Sequence, residues 1–206
     1  MLKLLKSKGN PSQKNSYKYS CLIDYLRQIS SEVDFENDNY MDWIKDLKEY
    51  CSKMILFALS PVQIGIPKRM IYFKNTTENV DNNLTSDYDE EEIIINPKII
   101  SMKGHTRYLE RCGSCLDLSA VIDRPYMVEL KYYDINGNIH TDKFTGIKST
   151  IFCHEYDHLN GILHIDRAEN ILEMTYEEAK QYRLNHPYKI LSKTDEYIDK
   201  FQLKNS

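Results

Sequence analysis

The sequence predicts an α+β fold, a mainly antiparallel sheet packed around one central helix, and three observations predict it. Helical spacing is concentrated before residue 55 and in two later stretches. Short strand-like runs gather between them, and an Asn-Gly pair joins two of these runs. Helices, then strands, then helix is the order of an α+β domain, not of alternating βαβ units.

Taken in order, residues 1–40 form a polar lead-in, except that Leu22, Ile23, Tyr25, Leu26 and Ile29 have helical spacing from Cys21 to about Ile29. A clearer helix follows. Asn37 or Asn39 can cap it, and Met41, Trp43, Ile44, Leu47, Tyr50, Cys51 and Met54 make a stripe at three- and four-residue intervals. Arg69 to Phe73 reads as a buried strand. Residues 74–92 are Asn, Thr, Asp and Glu with few apolar positions, which predicts an exposed acidic loop. Ile93, Ile94 and Ile95 form a strand that ends or bends at Asn96-Pro97, with Ile99 and Ile100 beyond it. Met127 to Asp134 and Ile139 to Phe144 flank Asn136-Gly137 as a hairpin. Ile147 to Leu159 reads as a helix stopped by Asn160-Gly161. A last helix over Tyr176 to Leu184 follows the capping box Thr175 and Glu178, within a helical C-terminal extension spanning 167–206.

Bulk properties narrow the function. The 206 residues suit one domain with a substantial core, and 41% hydrophobic with 28% charged residues is the balance of a globular chain. A net charge of -4 argues against a general nucleic-acid binder, which needs a basic field. The basic start from Met1 to Lys8 carries too little apolar length for a secretory core or a membrane span, so a cytoplasmic, monomeric protein is expected. Five cysteines, an odd number, favour metal ligation or burial over a disulfide framework.

The chemistry concentrates in His154-Glu155-Tyr156-Asp157-His158. Four-residue spacing puts both imidazoles on one helix face, where they can bind one divalent metal. Glu155, next to the first ligand, can move protons without ligating. A hydrolytic site usually keeps three protein ligands, and two sources for the third compete. A zincin-type peptidase would take it from downstream, where Glu173, Glu177 and His164 are available. The other source is upstream, the thiolate in Gly113-Ser114-Cys115-Leu116. Cys112 and Cys115 also make a C-x-x-C pair, the spacing of a redox or zinc site. No second pair follows, and Cys112 reads as a neighbouring packed thiol prone to oxidation.

Three short blocks in fixed order make the chain resemble the peptide deformylases, whose pattern is Gly-Leu-Ala-Ala-x-Gln-x-Gly, then Glu-Gly-Cys-Leu-Ser, then Gln-His-Glu-x-Asp-His followed by Leu-x-Gly. The corresponding stretches here are Ala58 to Gly65, Gly113-Ser114-Cys115-Leu116-Asp117, and Cys153 to Gly161. The resemblance covers roughly Trp43 to Asp166. It implies that Cys115, His154 and His158 hold one divalent metal, ferrous iron with zinc or nickel as substitutes. It also implies that Gln63 and the backbone N–H of Leu116 bind the formyl oxygen, each donor contributing about 3 kcal/mol. Glu155 would be the general acid/base.

The implied reaction releases formate from N-formylmethionyl peptides near the ribosome exit, with Gly65 at the substrate. Ile147, Thr150 and Ile151, seven, four and three residues before His154, share its helix face, where they either line a pocket for the methionine side chain or pack the core. The first block carries Ala58 and Ser60-Pro61 where the family has Gly and Ala-Ala. The second carries Gly113 for Glu and Asp117 for Ser, and Cys153 replaces the Gln of the third. Two readings of the function remain: the active hydrolase, and a deformylase-like binding protein whose substrate docking is altered or lost.

Overall fold

The structure, a computed structural model, describes residues 25–54, 56–77, 85–115 and 117–201, with side chains excepted at 75–77 and 85–90. The expected first helix, Cys21 to about Ile29, falls partly outside these residues. Tyr25 and Leu26 are helical, and the chain from there to Asn39 is mainly irregular.

Helix α1 spans Tyr40–Met54, and its apolar stripe buries Ile44, Leu47 and Cys51. The strands are β1 (Ala58–Leu59), β2 (Met70–Thr77), β3 (Thr85–Arg111), β4 (Leu118–Arg124), β5 (Met127–Tyr133), β6 (Ile139–Thr145), β7 (Ile171–Glu173) and β8 (Lys189–Glu196). All pairings among them are antiparallel. Helices α2 (Gly146–Leu159) and α3 (Tyr176–Asn185) complete the set, with 3-10 turns at Pro61–Ile64 and His164–Asp166. The α+β class and the mainly antiparallel sheet are as the sequence predicts.

The organising element is β3, 27 residues long. Its first part pairs with β2, its middle with β5, and its last part with β4 and β8. The expected bend is at Asn96, whose φ of 51° is left-handed and where the β5 register slips between Ile95 and Lys98. Asn favours that conformation because its short polar side chain bonds locally. Here the Asn96 amide accepts from the Val33 N–H at 2.8 Å and donates to the Val33 carbonyl at 3.0 Å, fastening the lead-in to the sheet.

Two stretches depart from expectation. Residues 74–77 and 85–92, read as loop from their polarity, are paired strand, with Lys74 opposite Glu91 and Thr77 opposite Thr85, and Lys74 is buried. Ladder bonds use backbone groups and need no apolar side chains. The 167–206 segment contains α3 where the capping box predicts it, but also β7 and β8. Strand β8 is almost wholly exposed and so lacks the alternation that would have revealed it.

Helix α2 is central. Its buried residues lie on every side, among them Ile147, Phe152, Asp157 and Leu159, as befits a helix enclosed by sheet and loops. Arg69 caps its C-terminus, donating to the Leu159 carbonyl at 3.2 Å and to the Asn160 side chain at 3.0 Å. Gly161 then turns the chain at φ 69°, and a Cβ there would lie 2.2 Å from the Arg27 carbonyl oxygen. Only glycine fits that approach.

Candidate active site

Three elements converge on one point. Helix α2 presents His154, Glu155 and His158; the turn after β3 presents Cys112; and the short turn after β1 presents Gln63. The sulfur of Cys112 and one ring nitrogen from each of His154 and His158 all lie within 4.8 Å of one another. Among the described residues this is the group of three His, Cys, Asp or Glu side chains placed to hold a metal. Ligand atoms about 2.0–2.3 Å from a tetrahedral metal stand roughly 3.3–3.8 Å apart. Cys112 Sγ and His158 Nε2 are 3.2 Å apart, so a thiolate and two imidazoles fit such an ion with little adjustment.

The third ligand is therefore not the expected one. Cys115 is buried beside Cys112 but is not part of the triad, and none of Glu173, Glu177 and His164 belongs to it either. His164 Nε2 instead donates to the Leu118 carbonyl at 3.1 Å. Leu116, expected to supply an N–H to the formyl oxygen, lies outside the described residues.

The electrostatics suit a thiolate. The Cys115 S–H bonds to the Cys112 sulfur and, with the nearby His158 and His154 imidazoles, holds the Cys112 thiol well below its usual range, against the opposing effect of burial. The Ser114 N–H also points to the sulfur at 3.4 Å. Burial alone would favour neutral His154, but its bonds to Cys112 and to Glu110 raise its pKa.

Glu110, which the sequence reading did not single out, accepts from His154 Nδ1 at 2.8 Å and so directs Nε2 toward the ligand site. Behind it runs a buried chain of charges. Arg124 grips Glu110 through two bonds of 2.8 and 2.9 Å and donates to Asp157. Arg167 grips the same Asp157 through two bonds of 2.6 Å and reaches Asp199 at 2.8 Å. Burial opposes ionisation of Glu110 and Asp157, yet Arg124 pulls the first well below the carboxylate range and Arg124 with Arg167 lowers the second.

Glu155 is buried, and its Oε2 accepts a hydrogen bond from the Ser60 hydroxyl. Gln63 is also buried. Its Oε1 is taken by the Ser60 N–H at 2.9 Å, which leaves Nε2 facing Ser114 Oγ at 3.2 Å and Cys112 Sγ at 3.6 Å. Gly65 closes this turn at φ 98°. Of the residues expected near the methionine side chain, Ile147 and Thr150 are buried and Ile151 is half-buried against the core. The Thr150 hydroxyl lies 3.4 Å from that of Thr106 and 3.3 Å from that of Tyr188.

A family model described as polypeptide deformylase matches residues 21–173. The chain belongs to the polypeptide deformylase family. It is 32% identical over 149 residues to a peptide deformylase of Finegoldia magna, covering 72% of this chain and 86% of that protein. A peptide deformylase of Pelagibacter ubique is 34% identical over 142 residues, covering 68% and 78%. Among solved structures, a Plasmodium falciparum peptide deformylase in complex with inhibitor shares 32% identity at a TM-score of 0.57, covering 79% of this chain and 92% of that one. A probable peptide deformylase from Synechococcus phage S-SSM7 shares 28% at 0.61, covering 69% and 93%. The chain is thus a peptide deformylase, a metal-dependent hydrolase with a metal site of one cysteine and two histidines.

With Cys112 as the cysteine, the second family block lies three residues earlier than the Cys-Leu pair suggests. Glu110-Arg111-Cys112-Gly113-Ser114 carries the Glu two before the cysteine and the Ser two after it. The two departures noted at Gly113 and Asp117 vanish. The signal was present in the sequence as Glu-x-Cys-x-Ser, and Leu116 after Cys115 obscured it.

Proposed function

We propose that this peptide deformylase removes the formyl group from N-formylmethionyl peptides, with Cys112, His154 and His158 holding one divalent metal. Ferrous iron is the natural occupant, and zinc or nickel would be accepted by the same thiolate and imidazole donors. When bound, the metal supplies a Lewis acid for the formyl oxygen and lowers the pKa of water in the site.

The chain's own residues do the rest. Glu155 takes a proton from the attacking water and returns it to the leaving amine. Its carboxylate is held for this by the Ser60 hydroxyl. The Gln63 amide, oriented through its own carbonyl, donates from Nε2 to the formyl oxygen as negative charge develops there. The second donor is the N–H after the ligand, which the revised register assigns to Gly113 in place of Leu116. For the methionine side chain the helix face before His154 remains the candidate, with Gly65 alongside. Of that face Ile151 retains exposed surface, whereas Ile147 and Thr150 support it from within. Action on nascent chains at the ribosome exit, in the cytoplasm and as a monomer, fits this chemistry. Among the described residues no helix is long and apolar enough to cross a membrane.

The observation that carries the reading is the Cys112, His154, His158 triad with Glu155 one residue from a ligand. The test compares formate release from formyl-Met-Ala with metal content. Glu155→Gln should keep its metal and lose activity by roughly 10²–10⁴-fold. Cys112→Ala should lose both, while Cys115→Ala keeps its metal. Metal retained by Cys112→Ala and lost by Cys115→Ala would overturn the ligand assignment.

A further inference from the structure

The second sulfur of the C-x-x-C pair is unused by the reaction. Cys115 packs with Cys112, Leu26 and Leu163 in a small apolar cluster and stands outside the ligand group. Its N–H donates to the Cys112 carbonyl at 3.0 Å, closing a four-residue turn. Such a turn holds its end Cα atoms within about 7 Å, which overlaps the range of about 4.4–6.8 Å found across disulfides. Both side chains are buried in that one cluster, on the same turn.

The other described cysteines are out of reach of this pair: Cys51 and Cys153 are buried in two separate clusters.

We propose that Cys112 and Cys115 form a reversible disulfide that withdraws the ligand thiolate and so competes with metal binding. The oxidant is a peroxide, small enough to reach a sulfur beside the substrate site. The Cys112 thiolate attacks one peroxide oxygen. An S–O bond forms, the O–O bond breaks, and hydroxide leaves. The Cys115 sulfur then attacks the sulfenic sulfur. The S–S bond forms, the S–O bond breaks, and the departing hydroxide takes the Cys115 proton as water. Two thiols are oxidised and one peroxide is reduced to two waters.

A bound metal occupies the Cys112 lone pair and slows the first step, so an emptied site is the one that closes. Closure also spares Cys112 from the irreversible sulfinic stage, because the resolving thiol stands on the same turn. Reduction by a dithiol restores the ligand. The effect on metal rests on Cys112 being the ligand; the bond itself does not.

The test uses the full chain, zinc-loaded and chelator-stripped, treated with a few-fold molar excess of hydrogen peroxide, since the sulfinic stage consumes two peroxides per thiol and the disulfide one. In the stripped protein the tryptic peptide spanning Cys112 to Lys131, uncut at Arg124-Pro125, should lose about 2 Da and resist alkylation, whereas Cys115→Ser should gain about 32 Da at Cys112, irreversibly. Oxidised wild type should fail to take up zinc until dithiothreitol is added, and zinc loaded beforehand should slow the oxidation. Cys115→Ala, checked for folding by circular dichroism, repeats the comparison with a smaller side chain. Wild type gaining the same 32 Da as Cys115→Ser, or pairing Cys112 with another cysteine, would overturn the proposal. If the reduced Cys115→Ser protein cannot bind zinc, the ligand assignment fails, and the mapped bond remains a separate result.

Discussion

His154 and His158 stand on a helix whose carboxylate partners are locked into buried ion pairs, whereas Cys112 and Gln63 stand on turns held by hydrogen bonds. On the helix side one continuous chain runs from His154 through Glu110, Arg124, Asp157 and Arg167 to Asp199, and Arg124 is 2% exposed. On the turn side, Cys112 is met by the Ser114 N–H and the Gln63 amide, and Gln63 by Ser60, over distances of 2.9–3.6 Å. The helix side is a rigid base for two ligands. The turn side carries the groups proposed to meet the formyl oxygen. Ser60 links the two, since one residue orients both Gln63 and Glu155.

If this contrast holds, Arg124→Met should give the largest effect, and on stability. It leaves Glu110 and Asp157 buried without their shared cation, a change that costs about 3–5 kcal/mol. Urea unfolding checks it, and a loss under about 1 kcal/mol would show the chain to be dispensable. Gln63→Ala should do the reverse, leaving the melting temperature within error while kcat falls by about 10²–10³-fold. Steady-state kinetics alongside thermal melts would show whether the turn side is catalytic or structural.

Ser60→Ala should lower kcat by about tenfold, the scale of one hydrogen bond to a charged group. Ser60→Thr should restore part of it, and KM should barely move; a change in KM alone would mean that Ser60 shapes binding and not Glu155.

The smallest effect concerns pH. Burial, and then the neighbouring His154, lower His164 to about 4 from an ordinary value of 6.5. Its Nε2–H is committed to Leu118, and among the described residues its Nδ1 has no partner to receive a new proton. The unfolded chain takes up the proton first, so stability present above pH 6.5 is lost as pH falls toward 4. His164→Gln should flatten melting temperature against pH in that window, and equal slopes for both proteins would remove His164 as the cause.

The same contrast explains what the sequence disclosed. His154, Glu155 and His158 are related by helical periodicity, which survives any tertiary context, and Asn136-Gly137 names its own hairpin. Cys112 and Cys115 are three residues apart in a turn, where no period chooses between them. The local Glu-x-Cys-x-Ser pattern favours Cys112, but its reason is long-range and so not visible in the sequence: Glu110 reaches His154, 44 residues away. Block order was equally satisfied by either cysteine. The paired residues within 74–92 were hidden for a different reason, since polar side chains there accompany strands joined through the backbone.

The length of β3 has a consequence for how the enzyme comes into being. One strand must find partners on both sides of it along the chain: β2 from before, and β4, β5 and β8 from after, with Lys103 opposite Glu196. Contacts that distant in sequence close slowly, because the intervening chain must be ordered before they contribute. Glu110, at the far end of β3, meets His154 only when β4 and α2 have docked. Assembly of the site therefore waits on the docking of β4 and α2, and a nascent copy of this enzyme gains its metal-holding geometry only after His158 has left the ribosome.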